Sequence, residues 1–224
     1  MKKSVTSLTS LLTIGILFLM IAPPPCNASE SVVLVTGFEP FQNYTVNPSG
    51  LIAETLNGSS IGGASVVGVV LPVDFNISAE IAIHAMEQYH PVLVLSLGLN
   101  ARSHALRVEK IGVNLKRYQK ENGRWSFPHR IERAGPFFRI TSLHTDEIVR
   151  AIQKVNTPVQ QSYFAGMYVC NGLFYQLLGY VHAQNSSTKV GFIHVPLLDS
   201  QDPQGMPLQT MVDAVKIAVQ TSLQ

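Results

Sequence analysis

Charged residues and cysteines are both scarce in this sequence. Of its 224 residues, 13% are charged, 46% are hydrophobic and two are cysteines. A chain that stays disordered combines low hydrophobicity with high net charge, and a small domain held by disulfides needs many more cysteines in a shorter chain. Both classes are therefore excluded, and a folded globular protein is expected.

The sequence also lacks the patterns that accompany nucleic acids, metals and nucleotides. Its 16 basic residues nearly balance 14 acidic ones and form no block, so we expect no nucleic-acid partner. It has no cluster with metal-ligand spacing, no phosphate-binding loop and no Gly-x-Gly-x-x-Gly motif. We therefore expect neither a metal ion nor a cofactor.

An apolar run near the N terminus predicts an export signal. Lys2 and Lys3 precede an apolar stretch at 11–22, which is followed by three prolines and by small residues near position 28. A membrane-spanning helix needs roughly 20 apolar residues, more than this stretch provides. We expect residues 1–28 to be a signal peptide and the protein to be secreted or periplasmic, without stable membrane insertion after cleavage. An uncleaved segment that anchors the protein in a membrane is the alternative.

Removal of residues 1–28 would change the numbers of charged residues and of cysteines. It would take away Lys2, Lys3 and Cys26, which leaves 14 basic and 14 acidic side chains and one cysteine, Cys170. An exported chain with a single cysteine cannot form an internal disulfide. Cys170 is therefore either a buried apolar residue or a thiol kept for chemistry.

Residues 29–224 predict one domain of the α/β class. Continuous apolar, β-branched runs are typical of strands buried on both faces, and the segments between them have helical spacing. This alternation predicts a three-layer αβα sandwich with a mostly parallel sheet. The predicted strands are 31–37, 65–71, 92–97, 108–115, 161–165 and 189–195, and the predicted helices are 51–58, 78–89 with Ser78 as N-cap, 145–155, 171–181 and 208–223. The polar stretch 117–136 is predicted to be a long surface loop.

Cys170 directly precedes the helical run 171–181 and is therefore predicted to lie at a helix N terminus. The partial positive charge and free N–H groups of a helix start favour thiolate over thiol, and they can stabilise an oxyanion at an attacked carbonyl. An inert cysteine in the core is the alternative interpretation.

His194 and Glu109 are the candidate partners of that thiol. His194 closes an apolar strand, at the end where open α/β sheets collect their chemistry, and it is either a catalytic base or a hydrogen-bonded core histidine. Glu109 lies among apolar residues, where a carboxylate needs a partner. It either orients a catalytic histidine or forms an ion pair with Lys110 or Arg107.

Phe38 and Phe41 follow the first predicted strand, in a ligand-binding position of such sheets. Two phenylalanines in a loop are costly to expose to water. They therefore either cap the core or line an apolar pocket.

Four ordered motifs resemble the pyroglutamyl peptidase I family, or pyrrolidone-carboxylate peptidases. They are Val-Thr-Gly-Phe-Glu-Pro-Phe at 35–41 with Asn-Pro-Ser at 47–49, Val-Glu-Lys-Ile-Gly-Val-Asn at 108–114, Ala-Gly-Met-Tyr-Val-Cys-Asn-Gly-Leu-Phe-Tyr at 165–175, and Gly-Phe-Ile-His-Val-Pro at 191–196. The resemblance covers nearly all of the chain after residue 28.

The resemblance implies a cysteine exopeptidase that removes an N-terminal pyroglutamyl (5-oxoprolyl) residue from peptides through a thioester acyl-enzyme, without metal or cofactor. The family's catalytic residues fall on Cys170 as nucleophile, His194 as general base and acid, and Glu109, which orients His194.

The resemblance also implies which residues bind the substrate. Phe38 and Phe41 would flank the lactam ring of the pyroglutamyl group, with Tyr168 and Val169 close by. A homo-oligomer is compatible with the resemblance.

Several positions depart from the family pattern and leave two other functions open. Leu99 stands where many members carry Gln, Phe164 and Met167 replace smaller or polar residues beside the nucleophile, and 117–136 differs from the usual bacterial pattern. One alternative is a protein that binds pyroglutamyl ligands without turnover. The other is a thiol amidase that acts on another small acyl group.

Overall fold

The computed structural model of the protein describes residues 31–120 and 123–224, so the predicted signal peptide, residues 1–28, lies outside the described residues. The strands are β1 (Val32–Phe38), β2 (Ser60–Ile61), β3 (Ala64–Leu71), β4 (Leu93–Leu99), β5 (Leu106–Glu109), β6 (Ile111–Val113), β7 (Phe138–Ile140), β8 (Val159–Ser162) and β9 (Lys189–Val195). The helices are α1 (Pro48–Leu56), α2 (Ile77–Tyr89), α3 (Thr145–Gln153), α4 (Val169–Ala183) and α5 (Leu208–Ser222).

Seven of these strands form one mixed sheet in the order β2-β3-β1-β4-β9-β5-β8. β1 is parallel to β3 and β4, and β9 is parallel to β4. β5 runs antiparallel to β9 and parallel to β8, while β2 runs antiparallel to β3. The central strands are buried almost throughout, which explains their continuous apolar sequences. The predicted mostly parallel sheet is confirmed.

Helices cover both faces of the sheet. α1, α3 and α5 pack on the face that includes Val33 and Leu95, whereas α2 and α4 pack on the face that includes Leu34, Val94 and Phe192. Successive residues of a strand point to opposite faces, so each central strand contributes to both cores. The predicted three-layer αβα sandwich is confirmed.

The predicted strand 108–115 is wrong in its extent, because the chain changes partners at Lys110. The N–H of Lys110 donates to the carbonyl of Ser162, the last residue of β8, whereas its carbonyl accepts from the N–H of Thr141, which follows β7. β5 therefore ends in the main sheet, and β6 pairs with β7 in a separate two-stranded sheet. Val108 of β5 and Val113 of β6 are both buried, so the apolar sequence pattern does not show that one strand ends and another begins at Lys110.

Other boundaries also differ from the predictions. The strand predicted at 161–165 is β8, which lies earlier in the chain. Ser78 is not the N-cap of α2, because the helix begins at Ile77 and the carboxylate of Asp74 accepts from the Ile77 N–H. The described residues of stretch 117–136 form no helix or strand, in agreement with the predicted loop, and two isolated bridges join parts of it.

None of the helices within 31–120 and 123–224 is both long and apolar enough to cross a membrane.

Candidate active site

Glu109 and His194 meet because of the antiparallel register of β5 and β9. Arg107 pairs with His194, and Glu109 pairs with Phe192, two residues earlier on β9. Cross-strand pairs point to the same face, so Glu109 and His194 are diagonal neighbours. Glu109 Oε1 lies 2.8 Å from His194 Nδ1, and only 1% of Glu109 and 5% of His194 is exposed. The two side chains form a buried hydrogen-bonded pair.

Cys170 lies in the first turn of α4, in agreement with the predicted helix start. Its thiol lies beside the His194 ring, close enough to affect the charge of that ring, and both side chains line the same cleft. Gly98 of β4 pairs with His194 in the sheet, and a Cβ at Gly98 would lie 2.8 Å from Cys170 Sγ. The missing side chain at Gly98 therefore leaves the space that the sulfur occupies.

The pKa of His194 reflects opposing effects. Burial lowers it, because the charged ring loses its water, while the neighbouring Cys170 and the hydrogen-bonded Glu109 raise it by favouring the charged ring. The net result raises the pKa of His194 from 6.5 to about 9. The ring therefore carries a proton at neutral pH and can donate it to a leaving group.

Glu109 lies near Arg107 as well as His194. Arg107 Nε lies 3.8 Å from Glu109 Oε1, and Arg107 Nη2 donates to Ser162 Oγ at 2.9 Å. Glu109 thus faces a cationic side chain as well as the histidine. The ion pair with Arg107 does not compete with the contact to His194 but adds to it.

A narrow apolar cavity opens beside Cys170. Its walls are mostly apolar and include no charged side chain, which suits a small uncharged group. The four residues predicted to bind substrate all contribute to its walls, which are formed by Phe38, Phe41, Asn47, Val73, Leu99, Tyr168, Val169 and Cys170. Sequence reasoning missed Asn47 as a wall residue, because its place before α1 indicated only a helix cap.

The phenylalanine loop is tied to the start of α1. Asn47 Nδ2 donates to the Glu39 carbonyl at 2.9 Å, and Asn47 Oδ1 accepts from both the N–H and the hydroxyl of Ser49. Ser49 Oγ in turn accepts from the Phe38 N–H at 3.1 Å. A Cβ at Gly37 would collide with the Ser49 carbonyl, so a glycine is needed for this close approach. The motifs at 35–41 and 47–49 together build one rigid cavity wall.

The start of α4 is held from the other side by Asn171. Its Oδ1 accepts from the Val113 N–H at 2.9 Å, and its Nδ2 donates to the carbonyls of Val113 and Leu115 at 2.9 and 2.8 Å. This fully buried amide fixes the turn that carries Cys170 against β6. Sequence reasoning did not identify this role.

The comparisons with known proteins agree with this geometry. A sequence model of the family described as Pyroglutamyl peptidase matches residues 31–224. The chain belongs to the pyroglutamyl peptidase family. The family prediction is therefore confirmed, and so is the prediction of a cysteine-type peptidase.

Known members of the pyroglutamyl peptidase family match this chain over most of its length. Pyrrolidone-carboxylate peptidase 1 of Caldanaerobacter subterraneus subsp. tengcongensis is 34% identical over 195 residues, which cover 85% of this chain and 95% of that protein. The pyrrolidone-carboxylate peptidase of Coprothermobacter proteolyticus is 34% identical over 199 residues, with 85% and 96% covered.

Solved structures of pyroglutamyl peptidases share the fold. The pyrrolidone carboxyl peptidase from Thermococcus litoralis superposes with a TM-score of 0.81 at 31% identity, covering 86% of this chain and 93% of that chain. Pyroglutamyl peptidase I of Bacillus amyloliquefaciens gives a TM-score of 0.80 at 33% identity, with 86% and 97% covered.

In this pyroglutamyl peptidase the three predicted catalytic side chains lie together, next to the cavity that the four predicted substrate-binding residues line. A cysteine beside an imidazole that a carboxylate holds in place can supply both a nucleophile and a proton donor. The individual catalytic and binding roles stay predictions.

Proposed function

We propose that the protein hydrolyses the bond after an N-terminal pyroglutamyl residue in peptides, with Cys170 as nucleophile, His194 as general acid and base, and Glu109 as the residue that orients His194. One observation carries this proposal. The buried hydrogen bond between Glu109 and His194 lies next to Cys170, and Cys170 lines a narrow apolar cavity. Family membership supports the same reaction.

Acylation begins when the Cys170 thiolate attacks the pyroglutamyl carbonyl carbon and forms a carbon–sulfur bond. The carbonyl oxygen becomes an oxyanion, which N–H groups in the first turn of α4 can stabilise, because the first N–H groups of a helix have no acceptor within the helix. The carbon–nitrogen bond then breaks, and the His194 imidazolium gives its proton to the leaving amine. A thioester and a shortened peptide result.

Deacylation uses the same histidine in the opposite direction. Neutral His194 takes a proton from a water molecule, and the resulting hydroxide attacks the thioester carbonyl. The carbon–sulfur bond breaks and free pyroglutamic acid leaves. The Cys170 thiolate and the His194 imidazolium are restored, so the cycle needs only water.

The cavity supports selectivity for a pyroglutamyl group over an ordinary N terminus. Phe38, Phe41 and Val169 give it apolar walls, and a lactam is small, flat and uncharged. A free N-terminal ammonium would lose its water on entering and would find no carboxylate among the residues that line the cavity.

Hydrolysis of a pyroglutamyl-amide reporter tests the proposal. The purified protein should release the reporter amine, and Cys170→Ser should not. Tight binding of a pyroglutamyl ligand without turnover by the unaltered protein would contradict the proposal in favour of a binding protein. Cleavage of other acyl amides alone would favour a different thiol amidase.

We also propose that the protein is exported and that residues 1–28 are removed. The charged start, the short apolar stretch and the small residues near position 28 support this. Expression of the full chain in a secreting host, followed by N-terminal sequencing, should give a protein that begins near residue 29 outside the cytoplasm. Ile16→Arg, which interrupts the apolar stretch, should prevent export. Recovery of the unaltered full-length chain in the membrane fraction would instead support the uncleaved anchor.

A further inference from the structure

Two exposed aromatic side chains line a wider cleft that also contains Cys170 and His194. Trp125 is 44% exposed and Phe164 is 50% exposed, and both belong to the wall of this cleft. Large apolar surfaces left in water are unfavourable, and those inside a cleft that contains a nucleophile mark a binding surface.

Trp125 is firmly held in this position. Its ring packs edge-on against Tyr168 with centroids 5.5 Å apart, and Tyr168 packs edge-on against Phe75. The segment that carries Trp125 is tied to the nucleophile loop, because the Arg117 N–H donates to the Met167 carbonyl at 2.6 Å. A preorganised aromatic wall needs little further ordering when a ligand binds.

The wall lies on the leaving-group side of the thiol. The narrow cavity and the wider cleft adjoin each other, because both are lined by Phe41, Tyr168 and Cys170, and the wider cleft continues to Trp125 and Phe164. When the narrow cavity holds the pyroglutamyl ring, the wider cleft is the space left next to Cys170. The residue after the scissile bond must therefore enter the wider cleft.

We infer that this cleft is a specificity subsite for an aromatic residue directly after pyroglutamate, with Trp125 and Phe164 as the specificity-determining side chains. The inference rests on the proposed function. An aromatic side chain packs against such rings in edge-on or offset contacts that add to the burial of apolar area. An alanine side chain has no ring to make such contacts.

A series of peptide amides tests the substrate class. We expect kcat/KM for pGlu-Phe-amide to exceed that for pGlu-Ala-amide by about 10-fold, with pGlu-Leu-amide between them. Equal kcat/KM for the phenylalanine and alanine peptides would overturn the inference but not the proposed function. Equal kcat/KM for the phenylalanine and leucine peptides would show that the subsite does not select aromatic residues. No turnover of any peptide in the series would overturn the proposed function and the inference with it.

Variants test the two residues. Trp125→Ala and Phe164→Ala should each lower the ratio of the phenylalanine to the alanine rate, and Trp125→Phe should largely keep it. A general structural defect would lower both rates and leave the ratio unchanged. Phe127→Ala is the matched control, because Phe127 is 86% exposed in the same segment and, unlike Trp125, is not among the residues that line the wider cleft.

Light scattering on the same variants tests whether Trp125 and Phe164 bind the substrate or instead form a contact between two copies of the chain. The inference requires that the rate ratio falls while the oligomeric state stays the same. A changed oligomeric state with an unchanged ratio would overturn it.

Discussion

At the scale of single residues, two neighbouring side chains raise the pKa of His194 and so keep its ring protonated. Burial alone would lower the pKa of the ring, but Cys170 and Glu109 together raise it to about 9. Below that pH the imidazolium can protonate the leaving amine, and above it the proton is lost. The activity of the unaltered protein should therefore fall as pH rises through about 9.

Glu109→Gln tests this dependence. The amide keeps the shape of the side chain but removes the charge that favours the imidazolium, so the pKa of His194 should fall. We expect kcat to drop by about 100-fold and the alkaline limb of the kcat/KM profile to move to lower pH. The exposed Glu54 of α1 provides the matched control Glu54→Gln, which should leave both unchanged. An alkaline limb at the same pH in Glu109→Gln would contradict the role of Glu109.

Gly98→Ala tests the space beside the sulfur. The added Cβ would lie 2.8 Å from Cys170 Sγ and 2.9 Å from Phe192 Cζ, so the thiol or the ring must move. Displacement of a nucleophile by a fraction of an ångström is costly, and we expect kcat to fall by about 10- to 100-fold. Circular dichroism and the unfolding midpoint check that the variant is folded. A folded variant with full activity would show that the sulfur does not need this space.

At the scale of elements, the first turn of α4 is an anchored helix start. Asn171 connects it to Val113 of β6 through two hydrogen bonds and to Leu115 through a third, so the position of Cys170 depends on a side chain that takes no part in the chemistry. The two-stranded sheet of β6 and β7 thus supports the site, although it lies outside the main sheet.

Asn171→Ala should destabilise the protein through this connection. The buried N–H of Val113 loses its acceptor, and the carbonyls of Val113 and Leu115 each lose a donor, which costs about 2–4 kcal/mol of unfolding free energy. Urea unfolding measures this loss, and the reporter assay should show a lower kcat because Cys170 is less well held. Gln209→Ala on α5 is the control, since its exposed amide bonds only to the carboxylate of Asp213 four residues later. Equal stability of the two variants would contradict the anchoring role.

At the scale of the whole molecule, protection from solvent is uneven across the two sheets. β4 is buried along its whole length between two helical layers, whereas the side chains of Phe138 and Ile140 on β7 are 55% and 62% exposed. Regions with little buried apolar contact open locally, at a lower free energy than global unfolding.

Hydrogen exchange should separate these regions. Amides of β1, β4 and β9 should exchange only at the rate set by global unfolding, and those of β7 should exchange faster by local opening. Mass spectrometry of peptic fragments measures both. Equal protection of β7 and β4 would mean that the two sheets unfold as one unit.

Much of the fold followed from local patterns. The continuous apolar runs at β1, β4 and β9 and the helix start at Cys170 are readable from residues next to one another, because burial on both faces and helix capping are local requirements. The break at Lys110 was not readable, because it depends on which strands offer hydrogen bonds on either side.

The sequence by itself determined the fold class, the family motifs and the identity of Glu109, Cys170 and His194 as chemically unusual residues. Only the tertiary structure decided that β5 runs antiparallel to β9, which brings Glu109 to a histidine 85 positions away. It also decided that Gly98 makes room for the sulfur and that Trp125 lies against Tyr168. The physical reason is that a local pattern records how deeply a side chain is buried, whereas strand order and register decide which side chain lies beside it.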